Sequence, residues 1–451
     1  MKKIIYALFI AALLNSAENV ESLTLENAIE ILKANNLEIK TAALDVKMSD
    51  KDVDAASGNH WGKLTFIQDA ARSNDAGNVF GFKLTSREAS FGSFGFSEFD
   101  GANPDILNVQ PSDLNYPDDR NFFQSKLKYE IPLFAGFKIS SYENIMESMR
   151  KIKSLEKEEV VNEKIYQVRK SFYDMALLSE SIKNLNVIFE NIETLENTTK
   201  QMVEVGYAKK VDILEAQAKK ANVKRLLSEI HLNKKLLYQY LSFLLNQKVV
   251  DIVTPSINVA TPTYANEVIL KNNLDVKKAL TGLDIQKNMT KLAKSDYYPT
   301  IGAFGEISTA DDAFMSSASD HKAYTIGARL SWNIFNGGID SANVEKSHMQ
   351  ELKTSLQVKL ANEGVILAIA QLRTQIETLD KELEYLQVEF ELANEIYKNY
   401  EGRYQEKLSS INDVIIKQSQ QIEKILLIQQ SRNKRNERIF ALEKLANGEE
   451  Q

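Results

Sequence analysis

The chain has 451 residues, with 26% charged residues of both signs interspersed and a net charge of −7. That is enough chain for two or three ordinary domains, and the lack of a polybasic face argues against nucleic acid as the main partner. No cysteine occurs, which excludes disulfides, thiolate metal sites, thiol catalysis and lipid attachment to an N-terminal cysteine.

Residues 1–17 read as a secretory signal peptide. Lys2 and Lys3 precede an apolar run, Ile4 to Leu14, too short to span a bilayer as a helix. Ser16-Ala17 offers a cleavage point; a buried N-terminal helix is the alternative. No later apolar run approaches the length of a membrane helix, so any membrane span must be built from strands.

The mature chain then gives the same order of elements twice. A helix is predicted over 25–57 and again over 264–294. A strand, a connection and a second strand follow: 63–72 and 123–131, then 299–309 and 324–334. A very long helix covers 141–203 and 341–403, and after a short turn a return helix covers 209–246 and 408–446. With 7 prolines and clustered glycines, little interrupts these helices.

The two halves also share words. Asn35-Asn36-Leu37-Glu38-Ile39-Lys40 returns as Asn272-Asn273-Leu274-Asp275-Val276-Lys277, and Pro132-Leu133-Phe134-Ala135-Gly136 as Asn333-Ile334-Phe335-Asn336-Gly337. Gly206–Gln217 returns as Lys407–Gln418. The sequence therefore divides into a first repeat, 18–246, a linker or equatorial segment, 247–263, and a second repeat, 264–451, with its hairpin at 299–335. The first offset is 237 and the other two are 201, which places the surplus residues in the first hairpin, in a long loop over 70–122. This loop is rich in Gly, Phe, Asn and Asp. It is either a pore plug or partner-binding loop, or a solvated insertion at a loop tip.

The second strand of each hairpin alternates. Phe123, Ser125, Leu127, Tyr129 and Ile131 oppose Gln124, Lys126, Lys128 and Glu130; Tyr324, Ile326, Ala328, Leu330, Trp332 and Ile334 oppose Thr325, Gly327, Arg329, Ser331 and Asn333. Such strands suit an outer-membrane barrel or an antiparallel sheet on a soluble core. Four strands cannot close a transmembrane barrel, which needs about eight, so several chains must share one; three copies would give twelve strands.

In the second long helix Val365, Ile369, Leu372, Ile376, Leu379, Leu383, Leu386, Phe390, Ala393, Tyr397, Tyr400 and Tyr404 keep a 4-3 spacing. Val168, Met175, Leu178, Ile182, Leu185, Phe189, Ile192 and Val203 hold the same register in the first, as coiled-coil packing requires. At about 1.5 Å per residue each long helix spans roughly 93 Å, close to the roughly 104 Å of a return helix and a short helix end to end.

No enzyme chemistry is apparent. His60, His231, His321 and His348 lack metal-ligand spacing. Gly58-x-x-x-Gly62-Lys63 is one residue short of a phosphate loop and precedes a strand. No nucleophile has a base beside it, and no cofactor is expected. The turns after the long helices, Val205-Gly206-Tyr207-Ala208-Lys209-Lys210-Val211-Asp212 and Glu406-Lys407-Leu408-Ser409-Ser410-Ile411-Asn412-Asp413, stand out instead. Asp212 and Asp413 fall in the first turns of helices, where a carboxylate favours the dipole. In a tube of several chains they would also ring its mouth, where acids select cations or hold a closed state.

Together these motifs resemble the TolC-like outer-membrane efflux proteins (outer membrane factors). The resemblance rests on Leu23-Thr24-Leu25-Glu26-Asn27-Ala28 with Asn35-Asn36, Tyr297-Tyr298-Pro299-Thr300 before a strand, Pro132-Leu133-Phe134-x-Gly136 and Ile334-Phe335-Asn336-Gly337-Gly338 after one, and Val205-Gly206-x-x-x-x-x-Asp212 at the tip. It implies a mixed membrane fold: a homotrimer with a 12-stranded transmembrane β-barrel, four strands per chain, continued by a long α-helical coiled-coil barrel. Such a protein lies in the outer membrane of a Gram-negative bacterium, among outer-membrane lipid, and extends into the periplasm. It is a passive, non-enzymatic exit duct of tripartite efflux or type I secretion, fed by an RND, ABC or MFS inner-membrane transporter through a periplasmic adaptor (membrane fusion) protein.

By position, the resemblance assigns Asp212, Asp413 and a constricting Tyr404 to the periplasmic entrance, and Val205, Gly206, Tyr207, Ala208 and Leu408 to the adaptor-docking tip. Lys407 replaces the usual Gly of the second repeat. Ser409 stands where an arginine pairs with the first-repeat Asp in the best-known member, and Ile416 where a second gate acid stands. Lys407 or Lys210 is expected to replace that arginine across a protomer boundary, so both belong to the entrance with Ser409. The rival reading is an exported, non-porous coiled-coil protein of structural or adhesive type.

Overall fold

The computed structural model describes residues 22–314 and 321–447; the expected signal peptide lies outside them. In chain order the principal elements are α1 (Leu25–Asn35), α2 (Leu37–Gly58), β1 (Lys63–Ser73), α3 (Ala76–Thr85), β2 (Arg120–Ala135), α4 (Lys138–Glu204), α5 (Lys210–Leu245), α6 (Asn266–Asn272), α7 (Leu274–Lys294), β3 (Thr300–Asp311), β4 (Lys322–Ser331), α8 (Ile339–Gln405) and α9 (Ile411–Leu445). They form two compact units. One holds the described residues up to Met48, Lys151–Thr281 and the stretch from Ser355; the other holds Ser49–Arg150 and Gly282–Thr354.

In the helical unit the heptad positions behave as their spacing predicts. On α8, Val365, Ile369, Ile376, Leu386, Tyr397 and Tyr404 are buried and the other members of the stripe half-buried. Two core clusters correspond position by position. Leu32, Ile39, Val168, Met175, Leu241 and Leu245 belong to one; Ile269, Val276, Ile369, Ile376, Leu442 and Ala446 to the other. Further along, Leu185, Ile188 and Ile192 of α4 pack with Val223 of α5 and Ile422 of α9. Helix α4 thus buries more than one stripe, while α8 leaves a second apolar stripe bare. Leu356, Leu360 and Leu367, and farther along Tyr385, Val388 and Leu392, are exposed, each group at the 3-, 4- or 7-residue steps of a coiled-coil seam. On α5, Val211, Leu214, Leu232, Leu236 and Phe243 are likewise exposed.

Each expected short helix is in fact two, because an asparagine breaks it. Asn36 has ψ 130° and Asn273 ψ 127°, outside the helical range. The freed side chain works in both directions. Asn36 Oδ1 accepts from the Ile39 amide (3.0 Å) while its Nδ2 donates to the Leu244 carbonyl (2.7 Å). Asn273 Oδ1 accepts from Val276 (3.1 Å) and its Nδ2 donates to Leu445 (3.2 Å). The break is therefore a cap that also ties the short helix to the end of the return helix. Asn273→Ala is expected to speed amide exchange at Asp275 and Val276 about fivefold, the equivalent of the ~1 kcal/mol such caps are worth; unchanged exchange would leave the cap without energetic weight.

Segment 247–263 is strapped down. Leu23 bridges Ile252, Tyr238 donates to Asp251 (3.1 Å), and Arg435 donates to the Val259 carbonyl (2.8 Å) and Thr261 (3.1 Å).

The second unit is built on one antiparallel sheet, order β1-β2-β3-β4. Leu64, Tyr129, Gly305 and Ile326 stand in one row across it, and Phe66, Leu127, Ile307 and Tyr324 in the next. The opposite face carries Lys63, Glu130, Lys128, Glu306 and Thr325, with Lys128–Glu130 (2.7 Å) and Lys126–Asp69 (3.2 Å) ion pairs. The apolar face is the bare one: Ile326 is 80% exposed and Phe66 67%. A sheet on a soluble core would show the reverse. Both edges, β1 and β4, lack a partner among the described strands.

Gly62, which enters β1 at φ +71°, has no room for a side chain: a Cβ would stand 2.0 Å from the Glu130 carbonyl oxygen. Below the sheet Tyr129 donates to the Trp61 carbonyl (2.6 Å) and Trp332 to that of Tyr297 (3.2 Å), while Phe137 packs edge-on against Phe134 and Tyr298. Aromatics gathered at one border of an apolar band mark a membrane interface. Strand β4 stops at Ser331, short of the predicted 334, and the first loop is shorter than 70–122 and partly helical. Within it, α3 lays Phe82 on Phe122 of β2, ring centroids 4.2 Å apart.

Candidate functional site at the hairpin tips

The turns α4–α5 and α8–α9 lie in the helical unit and close in the same way. At the end of α4, the Tyr207 amide donates to Met202 (2.8 Å) and that of Gly206 to Val203 (3.1 Å); at the end of α8, Leu408 donates to Arg403 (2.7 Å) and Lys407 to Tyr404 (2.9 Å). This pair of bonds needs a left-handed residue after the helix. Gly206 has φ +79° and Lys407 φ +66°, so the lysine sits where glycine is the unstrained choice.

The two acids are caps. Asp212 Oδ2 accepts from the Lys209 amide at 2.6 Å. Asp413 Oδ2 accepts from the Ser410 amide (3.2 Å) and hydroxyl (2.6 Å), while Ser410 Oγ accepts from the Asp413 amide (3.2 Å), a reciprocal capping box. The Ser410 hydroxyl and amide hold the Asp413 carboxyl below its ordinary pKa. Ser409 donates to the Tyr400 carbonyl (3.1 Å).

Tyr404 is 5% exposed and lies in a core with Leu195, Ala216, Tyr397, Ile411 and Val414; its hydroxyl is 2.9 Å from Thr199 Oγ1, which joins α8 to α4. Burial raises its pKa. Among the described residues Lys407 makes no ion pair with an acid. Its Nζ stands 3.3 Å from the centre of the Tyr207 ring, a cation–π contact that spans the two tips. Val205, Tyr207 and Leu408 are exposed around it.

Sequence reasoning placed Tyr207 and Lys407 at the tips but did not pair them. The signal was there, since both stand in the turns at almost equivalent positions, yet only side-by-side packing of the hairpins brings them together. It also missed a charge cluster above the tip. Glu196 of α4 is buried and meets Lys200 (2.7 Å), Lys220 of α5 (3.1 Å) and Gln217 (3.3 Å). Above all the Lys200 ammonium, and then Lys220 and Gln217, hold its pKa down at about 2 against the opposing effect of desolvation. A depressed carboxylate pKa contributes stability that is full above the unfolded value of 4.5 and is lost as pH falls towards about 2. Thermal melting of wild type should therefore weaken across that window, and Glu196→Gln should flatten this part of the profile; an unchanged profile would remove Glu196 from the balance.

A sheet that bares its apolar face, in a chain with two very long heptad-patterned helices, is the fold of an outer-membrane channel. Residues 267–448 match the family described as outer membrane efflux protein. In structure the chain is similar to CusC (12% identity, TM-score 0.78, 96% of this chain and 95% of that one). It is also similar to the CmeC outer membrane channel of Campylobacter jejuni (15%, 0.75, 94% and 85%) and to the outer membrane protein VceC of Vibrio cholerae (15%, 0.74, 94% and 96%). No curated protein matches it in sequence. The family match lies in the second repeat, and over the described chain it is the fold that is shared with these channels; the place of the chain is the Gram-negative outer membrane, with extension into the periplasm. No described helix is long and apolar enough to cross a membrane.

Proposed function

We propose that this chain, a duplicated unit, assembles as a homotrimer that conducts substrates passively out of the cell. It would be the exit duct of a tripartite efflux or type I secretion system, fed by an inner-membrane transporter through a periplasmic adaptor. The observation that carries this reading is the sheet: an exposed apolar face and two edges without a partner among the described strands. An open edge in a membrane leaves backbone groups unsatisfied. With an even number of antiparallel strands, β4 of one copy can pair with β1 of the next and stay antiparallel, which closes a ring. Three copies give twelve strands, above the roughly eight a closed barrel needs. The bare stripes of α8 and α5 suit the matching helix–helix contacts.

At the tips Asp212 and Asp413 would be repeated around the entrance, close to Lys407 and Ser409. Tyr404 acts there by tying α8 to α4. The exposed surface of Val205, Gly206, Tyr207 and Leu408, with half-buried Ala208, is the docking ground for the adaptor. The reading is tested by native mass spectrometry and planar-bilayer recording of the purified protein. A trimer mass with stable ion conductance is expected. A monomer without conductance would favour the non-porous coiled-coil reading.

A further inference from the structure

The histidines show no metal-binding pattern along the sequence, but the fold gives one of them carboxylate company. Glu88 lies in the β1–β2 connection, Asp311 ends β3 and His321 precedes β4. One ligand atom from each falls within 4.8 Å of the other two. We propose that Glu88, Asp311 and His321 bind a divalent cation of the zinc class, which clamps the first-hairpin insertion to the second hairpin at the end of the sheet away from α4 and α8. Neither the family resemblance nor the duct uses these residues.

Several observations support it. His321 Nδ1 is 3.2 Å from the Ala310 carbonyl. That oxygen can only accept, so the proton sits on Nδ1 and the Nε2 lone pair is left for a metal, the usual outer-shell arrangement of a ligating histidine. Asp311 is buried and its Oδ1 accepts from the Asp312 amide (2.7 Å), so its carboxylate is already oriented. Glu88 is held by the Ser86 hydroxyl (2.8 Å) and by the Arg120 guanidinium. Arg120 also approaches Asp312, at 3.9 Å.

The geometry is nearly formed. Ligand atoms within 4.8 Å of each other need inward shifts of only about 0.7 Å to reach the ~2.0–2.1 Å distances of zinc, with a fourth position open to water. An imidazole among the ligands favours zinc-like metals over calcium or magnesium, which prefer all-oxygen shells. The Phe82–Phe122 stack and the Arg120–Glu88 pair already hold the insertion on the sheet, so Glu88 is in place before the metal arrives.

The test uses untagged full-length protein in detergent, stripped with a chelator and titrated calorimetrically with zinc and, separately, with calcium. One zinc per chain is expected, with at least tenfold weaker binding in His321→Ala and in Glu88→Gln. Zinc should also slow proteolytic cleavage within 74–119 in wild type and not in the variants. Glu88→Gln keeps the side-chain shape, and each variant is checked for unchanged oligomer mass. Zinc uptake that the two substitutions leave intact, no zinc uptake, or calcium bound in preference to zinc would each overturn the proposal.

Discussion

Leu360→Glu combined with Leu367→Glu is expected to abolish the proposed trimer and, with it, the proposed conductance. The two leucines are 72% and 58% exposed, one heptad apart, on the stripe of α8 that the chain's own helices leave bare. Val365, Ile369 and Ile376, on the other side of the same helix, are buried, so the substitutions spare the chain's own core. Burying a leucine is worth about 1.5–3 kcal/mol, and a carboxylate in its place must be desolvated without a partner. Two such changes, repeated at every interface of a ring, exceed what the rest of a seam can offset. The expected result by native mass spectrometry is a helical monomer. Leu232→Glu with Leu236→Glu on α5 should give the same monomer if the α5 stripe is the facing surface. Glu377→Lys, on a charged part of α8, is the control and should leave the trimer whole. A conducting trimer from the α8 double variant would refute the proposed interface.

What could be read from the sequence follows from the range of the interactions involved. The 4-3 stripe ending at Tyr404 and the alternation of Tyr324, Ile326 and Leu330 are local periodicities; the stripe is buried or half-buried at every position, and the apolar residues of the strand are exposed on one face. The long helices extend beyond their predicted ends by only a few residues, because capping at Ser410 and the left-handed turns at Gly206 and Lys407 are also local. The breaks at Asn36 and Asn273 were hidden for the opposite reason. The Asn-Asn words marked the positions, but the acceptors, the carbonyls of Leu244 and Leu445, lie in helices far along the chain. The buried setting of Tyr404 against Thr199, the Glu196–Lys220 contact and the meeting of Glu88 with His321 are likewise products of packing between remote segments. Spacing carries no trace of them.

Lys407→Ala is expected to open the tips, and the way it does so distinguishes a cation–π clasp from an ion pair. An exposed contact of this kind is worth about 0.5–1 kcal/mol. Three of them, if the proposed trimer opens as a unit, sum to about 1.5–3 kcal/mol, roughly a tenfold to hundredfold shift in the open-to-closed ratio. Open probability and conductance in planar bilayers should therefore rise in Lys407→Ala and equally in Tyr207→Leu. Tyr207→Phe keeps the ring and should behave as wild type, as should Lys407→Arg, which keeps the charge. The double variant Lys407→Ala/Tyr207→Leu should add nothing to either single change. Lys407→Gly tests the backbone separately. It relieves a left-handed conformation that costs an ordinary residue about 1–2 kcal/mol, so the turn becomes more stable, yet the channel should still open because the cation is gone. If Lys407 instead paired with an acid of a neighbouring copy, Tyr207→Leu would leave gating unchanged and Lys407→Ala alone would alter it. On this reading the lysine in a glycine position is explained by what its ammonium holds, the Tyr207 ring of the opposite repeat.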